Sequence, residues 1–175
     1  MTARLSPRLA EIVAALPIRP HLRVLEIGCG PGAAARAIAD NAIADQLTTG
    51  HILAIDRSAT AIAQLKACSS DQIAAGHLSA RHVAIEDFTL AGDEEPFDLV
   101  FAIRVGALDG RHPHAGRAAI EHIAAATHPR ARLFIDGWTP PTRTAHPRDH
   151  LEDLQRIEPL TDGGQEIGWT GFGSG

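Results

Sequence analysis

Short apolar runs alternate along the chain with longer stretches of helical periodicity. Five of these runs have the length of a strand and predict strands at 23–27, 51–56, 80–85, 97–103 and 132–136. Helix-forming stretches separate them and predict helices at 33–44, after Ser58 and at 115–127. Because strands that alternate with helices usually pair in parallel, the pattern predicts an α/β fold with a doubly wound, Rossmann-like parallel sheet.

Weaker patterns flank this alternating core. The apolar spacing from Leu5 to Leu16 predicts a helix that Ser6 and Pro7 begin; we interpret it as core packing, with partial cover of a pocket as the alternative. The C-terminal patterns predict a helix at 149–157 and one strand at 166–172. We expect a single domain, divided into an N-terminal helix at 1–20, a core at 21–137 and a C-terminal part at 138–175.

Composition narrows the classes of function. The formal net charge of −5 and the pI of about 6.0 provide no basic field that would recruit nucleic acid. Cys29 and Cys68 are too few for a disulfide framework and indicate a reducing compartment. Because no run approaches the roughly 20 apolar residues that span a bilayer, we expect a cytoplasmic protein without a membrane segment.

The segment 24–32, Val-Leu-Glu-Ile-Gly-Cys-Gly-Pro-Gly, is the most informative part of the chain. A buried strand runs into a loop in which Gly28, Gly30 and Gly32 alternate with other residues, and a helix follows. Glycine permits unusual dihedrals and close approach of a ligand to the backbone. Strand, glycine loop and helix form the nucleotide site of open α/β sheets, and Gly28, Gly30 and Ala33 also satisfy a relaxed dinucleotide fingerprint.

Charges near this loop indicate which ligand it binds. Glu26 precedes the loop and no basic residue lies between Val24 and Ala35, so a diphosphate is disfavoured and a ligand with an ammonium and a sulfonium is favoured. Asp56 ends the second predicted strand, where a carboxylate accepts hydrogen bonds from ribose hydroxyls. The alternative role of Asp56 is that of a capping acid before Ser58. The pattern therefore predicts an adenosyl ligand.

Residues 26–32, 55–58 and 97–101 resemble the first, second and fourth motifs of class I S-adenosylmethionine-dependent methyltransferases, over roughly residues 20–137. The resemblance implies methyltransferase activity and S-adenosyl-L-methionine as the cofactor, with the glycine loop at its methionine part, Asp56 at its ribose and Arg57 stacked on adenine. We expect the strand order 3-2-1-4-5. The implied cofactor-binding residues are Glu26, Gly28, Cys29, Gly30, Gly32, Asp56, Arg57, Ala102 and Ile103.

The chain departs from the family pattern in two places. After the third strand, members of the family often carry an acid that holds the adenine amino group. We favour Glu86 or Asp87 for that role, with Ile85 packed on the adenine ring. A different alignment places Ala84 at this position. The remaining alternative is that both acids are solvated loop residues without a role in binding. Family members also end in an antiparallel strand pair, which we expect to be shortened, atypical or absent after Gly137. We therefore expect a second copy, a partner subunit or the tail to cover the edge of strand five.

Methyl transfer from a sulfonium needs no acid, because the leaving group becomes neutral, so orientation and exclusion of water supply much of the catalysis. Asp109, His112 and His114 are candidate general bases, with His146 a further one. His112 and His114 are weak evidence for a metal site, and we predict no metal. Arg104 and Trp138 are candidates for binding the acceptor, together with Arg111 and Arg143.

We predict that the acceptor is a small molecule. Net charge disfavours nucleic acid as the acceptor, and so does the lack of the Asn-Pro-Pro-aromatic loop of base-directed amino methyltransferases. Two alternatives are retained. The first is an NAD(P)-dependent oxidoreductase domain, which would have to bind a diphosphate beside Glu26. The second is a non-catalytic cofactor-binding partner of a heteromeric enzyme, which the short C-terminal part favours.

Overall fold

The computed structural model describes residues 5–44, 50–108 and 113–135. Five strands have the bounds β1 Arg23–Ile27, β2 His51–Asp56, β3 Leu78–His82, β4 Phe97–Ala102 and β5 Thr127–Ile135. Five α-helices have the bounds α1 Pro7–Ala15, α2 Ala33–Ala44, α3 Ala59–Cys68, α4 Ser70–Ala74 and α5 Pro113–Ala125. A short 3-10 helix at Ile85–Asp87 lies between β3 and β4.

All five strands pair in parallel, in the order β3-β2-β1-β4-β5. The central strand β1 therefore has β2 on one side and β4 on the other, and Leu25 pairs with both Leu53 and Val100. The chain builds the sheet from β1 towards β3 on one side, and then crosses back to add β4 and β5 on the other side of β1. This reversal creates the crevice where ligands bind in open α/β sheets. The predicted fold class and strand order are confirmed.

The sheet is buried on both faces. One face packs against α5 and the 3-10 helix through Leu25, Ile27, Leu53, Ile55, Val100, Ile85, Ala119, Ile120 and Ile123. The other face packs against α2 and α3 through Val24, Ile52, Ala54, Leu99, Phe101, Ala35, Ile38, Ile62 and Leu65. Continuous apolar strands such as β2 are typical of parallel sheets covered by helices on both sides.

Two serines begin helices as the sequence predicts. The Ser6 hydroxyl accepts a hydrogen bond from the Leu9 N–H at 3.3 Å, and Pro7 occupies the first turn of α1. The Ser58 hydroxyl accepts from the Ala61 N–H at 3.2 Å at the start of α3. Val13 of α1 packs against the core on the α2 side, which confirms the interpretation of this helix as core packing.

The third predicted strand was placed incorrectly. β3 covers Leu78–His82 rather than 80–85, and the last bond of its ladder is donated by the Val83 N–H to the Asp56 carbonyl at 3.0 Å. Ile85 then turns into the core, where it is 3% exposed, and so ends the extended backbone. The short helix α4 was not predicted, because five residues are too few for a periodic signal.

The fifth strand begins earlier than predicted, at Thr127, and α5 accordingly covers Pro113–Ala125 rather than 115–127. The first residues of β5 are polar or proline and form no apolar run. Thr127 nevertheless pairs with Phe97 of β4, and the ladder resumes at Arg132, opposite Leu99. The Phe97 N–H donates to the Ala126 carbonyl at 2.9 Å, and the register shifts between Phe97 and Leu99.

Several predictions lie outside the described residues. They concern the C-terminal helix at 149–157, the strand at 166–172 and the antiparallel pair beyond β5. The predicted cover of the β5 edge and the single-domain division therefore stay predictions. Among the helices of the described ranges, none is long and apolar enough to cross a bilayer.

Candidate functional site

A pocket of about 440 Å³ opens at the carboxyl ends of β1, β2 and β4. This is the crevice beside β1 where the sheet topology places ligands. Its volume lies within the roughly 300–1,000 Å³ of small-molecule sites. The lining residues are Ile27, Gly28, Ile55, Asp56, Arg57, Val83, Ala84, Ile85, Glu86, Arg104, Val105, Gly106, Ala107 and Ala115. About half of them are residues that the sequence pattern indicates for the site.

The glycine loop between β1 and α2 owes its shape to three left-handed residues, Gly28, Gly30 and Gly32, with φ of 69°, 54° and 77°. A Cβ on Gly28 would lie 2.6 Å from Cγ2 of Val105, so Gly28 allows the segment after β4 to pack closely on the loop. A Cβ on Gly30 would meet nothing within 4 Å. Gly30 therefore faces open space, into which a ligand can approach the backbone.

Asp56 links the end of β2 to the glycine loop. Its Oδ2 accepts a hydrogen bond from the Gly30 N–H at 2.8 Å, and its Oδ1 accepts from the Ser58 N–H at 2.8 Å. An ionised carboxylate has about four acceptor sites, so each oxygen retains capacity for a ligand hydroxyl. The structure thus gives Asp56 the capping role and also places it in the pocket wall.

Glu26 lies beneath the loop rather than in the pocket wall. Its side chain is buried on the α2 side of the sheet, where it accepts from the Ala35 N–H, and its Oε2 has no partner within the described ranges. Burial raises the pKa of Glu26 to about 8, and the nearby Asp56 adds to the shift. At neutral pH the carboxyl is mostly protonated. The predicted electrostatic repulsion of a diphosphate by Glu26 is therefore weaker than the sequence implied.

One end of the pocket carries a charged pair. Arg57 donates to Glu86 at 3.1 Å, with Arg57 73% exposed and Glu86 20% exposed. Glu86, Ala84 and the buried Ile85 line the pocket, whereas Asp87 does not. Of the two acids that the sequence left open for the adenine amino group, the structure brings Glu86 to the pocket.

The opposite end of the pocket follows β4. Arg104, Val105, Gly106 and Ala107 line it together with Ala115 of α5. Ala102 is buried and Ile103 packs into the core on the α2 side, and neither lines the pocket. The sequence pattern singled out Arg104 in this segment but not Val105, Gly106 or Ala107 individually. The available signal for them was a glycine shortly after a buried strand, which marks a loop at the ligand edge of the sheet.

Cys29 lies inside the loop but is not exposed to the pocket. Its Sγ donates to the Gly30 carbonyl at 3.4 Å, and the residue is buried. Burial raises the pKa of the Cys29 thiol well above its usual value, and the carboxyls of Glu26 and Asp56 add to the shift. The thiol stays protonated and is no nucleophile. Gly32 has a packing role, because a Cβ at this position would clash with the side chain of Leu65.

Most of the candidate bases and acceptor residues lie outside the described ranges: Asp109, Arg111, His112, Trp138, Arg143 and His146. His114 is described; it is exposed on the first turn of α5 and does not line the pocket. Within residues 5–44, 50–108 and 113–135, no three histidine, cysteine or acidic side chains are grouped so that they could hold a metal ion.

The fold and the pocket define a Rossmann-like domain for an adenosyl ligand. A family model described as a methyltransferase domain matches residues 24–130. The chain therefore belongs to the methyltransferase-domain family, and the predicted class I S-adenosylmethionine-dependent family is confirmed. S-adenosyl-L-methionine is the cofactor that this membership assigns. No sequence among the curated proteins matches the chain.

Solved methyltransferase structures share the fold. An S-adenosylmethionine-dependent methyltransferase from Thiobacillus denitrificans, in complex with S-adenosyl-L-homocysteine, is 20% identical with a TM-score of 0.57, over 77% of this chain and 50% of that one. A similar complex from Geobacter sulfurreducens is 20% identical with a TM-score of 0.57, over 81% and 54%. Coclaurine N-methyltransferase, bound to N-methylheliamine and S-adenosyl-L-homocysteine, is 17% identical with a TM-score of 0.55, over 73% and 34%. The chain spans about half the length, or less, of these structures.

Proposed function

We propose that the chain binds S-adenosylmethionine in the pocket beyond β1, β2 and β4 and transfers its methyl group to a small-molecule acceptor. The observation that carries this proposal is the position of Asp56. Its carboxylate lies in the pocket wall next to the open space at Gly30, so a ribose and a backbone-contacting chain can be held by adjacent groups.

The described residues fit the cofactor. Asp56 would accept from the ribose hydroxyls, and Ile85 and Glu86 would hold the adenine from the β3 side. Arg57, which donates a hydrogen bond to Glu86, would cover the adenine from the solvent side. At Gly30 the loop presents backbone without a side chain. Glu26 lies beneath the loop and outside the pocket wall, so we assign it no direct contact with the cofactor.

The bound cofactor supplies an electrophilic methyl group on a sulfonium. The contribution of the chain is to orient the reactants and exclude water, which is sufficient for much of the rate enhancement in such a displacement. The apolar side chains of Ile27 and Val105 line the pocket on either side of Gly28 and favour a dry site. A general base, if the acceptor needs one, is predicted at Asp109 or His112, because His114 does not line the pocket.

Calorimetric titration of the protein with S-adenosylmethionine, S-adenosyl-L-homocysteine and NAD tests the proposal directly. We expect micromolar dissociation constants for the first two ligands, about −8 kcal/mol in binding free energy, and no heat from NAD. Binding of NAD alone would overturn the proposal in favour of the oxidoreductase alternative. Because the protonated Glu26 repels a diphosphate only weakly, the titration rather than the charge argument must decide between these ligands.

A non-catalytic cofactor-binding role is the second candidate. It is favoured by the absence of histidine, lysine and tyrosine among the pocket residues of the described ranges. Both candidates predict binding of S-adenosyl-L-homocysteine, so a transfer assay with methyl-labelled cofactor and a panel of small acceptors separates them. Transfer to any acceptor supports the enzyme, whereas binding without transfer across the panel supports the non-catalytic role.

A further inference from the structure

Arg104 has an unusual backbone conformation at the edge of the pocket. Its φ is 57°, a left-handed value that is strained for a residue with a long side chain. The neighbours on both sides are fixed: Ile103 packs into the core on the α2 side, and Val105 packs against Gly28. The strained residue is therefore held in place by its surroundings, and such strain clusters at ligand sites.

The charges of the pocket are divided between its two ends. Asp56 accepts two backbone N–H groups, and Arg57 and Glu86 form an ion pair, so each charged side chain at the β2 and β3 side already has a partner. Arg104 lies across β1 from them, after β4. There it adjoins lining residues without charge, Val105, Gly106, Ala107 and Ala115. The ion pairs of the described ranges do not include Arg104.

We propose that Arg104 binds a carboxylate or phosphate of the methyl acceptor and so selects anionic acceptors. The inference rests on the proposed function, because it assumes that the cofactor fills the end of the pocket at Asp56. An arginine fork matches two oxygens of a carboxylate or phosphate with parallel hydrogen bonds. The side chain of Arg104 is exposed, which places it at the rim, where a second ligand enters beside the cofactor.

A carboxylate can also come from the methionine part of the cofactor. That source would use the same arginine chemistry, so the two sources must be separated by experiment. S-adenosyl-L-homocysteine carries the amino-acid carboxylate, whereas 5′-methylthioadenosine keeps the nucleoside and lacks it. If Arg104 binds the acceptor, its charge contributes little to the affinity of either ligand.

The test uses protein saturated with S-adenosyl-L-homocysteine and titrated with benzoate, phenyl phosphate or the neutral benzamide, followed by ligand-observed NMR. We expect the two anions to bind at least ~10-fold more tightly than benzamide. Arg104→Gln should abolish this preference and Arg104→Lys should retain part of it. Arg117→Gln is the matched control, because Arg117 is exposed on α5 and does not line the pocket.

Three outcomes would overturn the inference. The first is equal binding of benzoate, phenyl phosphate and benzamide to the wild type. The second is an unchanged preference for the anions in Arg104→Gln. The third is a loss of affinity for S-adenosyl-L-homocysteine, but not for 5′-methylthioadenosine, in Arg104→Gln, which would assign the guanidinium to the cofactor. Failure of the wild type to bind S-adenosyl-L-homocysteine is a different result, because it overturns the proposed function itself.

A second variant tests the backbone strain and the anion preference together. Glycine adopts the left-handed conformation freely, so Arg104→Gly should raise the melting temperature while it removes the preference for anions. A residue that serves only the fold would behave in the opposite way. A lowered melting temperature in Arg104→Gly, together with retained anion preference, would contradict the proposal.

Discussion

The backbone N–H of Gly30 donates a hydrogen bond to Oδ2 of Asp56 at 2.8 Å, which ties the glycine loop to the end of β2. The two residues come from different strand–helix units, and the bond joins the carboxyl ends of the adjacent strands β1 and β2. The same carboxylate accepts from the Ser58 N–H, so one side chain fixes both the loop and the start of α3. A ligand that uses Asp56 therefore binds to a preorganised group.

Replacement of Asp56 by alanine should weaken the binding of S-adenosyl-L-homocysteine by about 10- to 100-fold. A hydrogen bond to a charged group contributes about 1.5–3 kcal/mol, and one such bond to the ribose accounts for that range. Calorimetry measures the change. Ser58→Ala is the control, because it removes the cap of α3 at a cost of about 1 kcal/mol in unfolding free energy and keeps the carboxylate. Equal affinities of Asp56→Ala and wild type would remove Asp56 from the site.

Gly30→Ala and Gly76→Ala form a matched pair. Both glycines have positive φ, 54° and 79°, and both face open space. Alanine at either position should cost about 1–2 kcal/mol in stability, because its backbone is strained. Only Gly30→Ala should also lose affinity for S-adenosyl-L-homocysteine, since Gly76 precedes β3 at the opposite end of the sheet. Chemical denaturation and calorimetry measure the two effects; equal affinities would make the loop purely structural.

Gly28 and Val105 should be energetically coupled. A methyl on Gly28 would lie 2.6 Å from Cγ2 of Val105, in addition to the strain of its positive φ. We expect Gly28→Ala to destabilise the wild type by more than it destabilises Val105→Ala, with a coupling of about 0.5–3 kcal/mol. A double-mutant cycle from denaturation curves measures this term. Additive effects would show that the segment after β4 moves away freely.

Glu26→Gln should change how stability depends on pH. The folded-state pKa of Glu26 is raised from 4.5 to about 8, so between these values the native state holds a proton that the unfolded chain has lost. The contribution of the protonated carboxyl to the free energy of unfolding is complete below pH 4.5 and is lost as the pH rises to about 8. Glutamine cannot ionise, so across this window the unfolding free energy of the variant should rise relative to that of the wild type, by on the order of 5 kcal/mol.

Unfolding free energies measured over the same pH range check the Glu26 prediction. Glu121→Gln is a suitable control, because Glu121 is exposed on α5. Parallel curves for the wild type and Glu26→Gln would contradict the burial of an uncompensated carboxyl. Saturation with S-adenosyl-L-homocysteine should reduce the difference if the ligand stabilises the ionised form of Glu26.

The sequence alone determined the central strands, the glycine loop and the acid at the end of β2. β1 and β2 have the predicted bounds because each is a short apolar run that a glycine or an acid ends. Their local signal and their tertiary surroundings agree, since a parallel strand between two layers of helices needs apolar residues on both faces. The strand–glycine–helix pattern is likewise a local property, set by the backbone freedom of three glycines.

The tertiary structure alone decided the states of the residues around the pocket. Glu26 is mostly neutral at pH 7 because α2 and the sheet bury it, and Glu86 rather than Asp87 lines the pocket because Ile85 turns into the core. The strain at Arg104 and the early start of β5 also depend on partners from other segments. Burial, pKa and backbone strain arise from contacts between residues distant in the chain, and a local pattern carries no information about them.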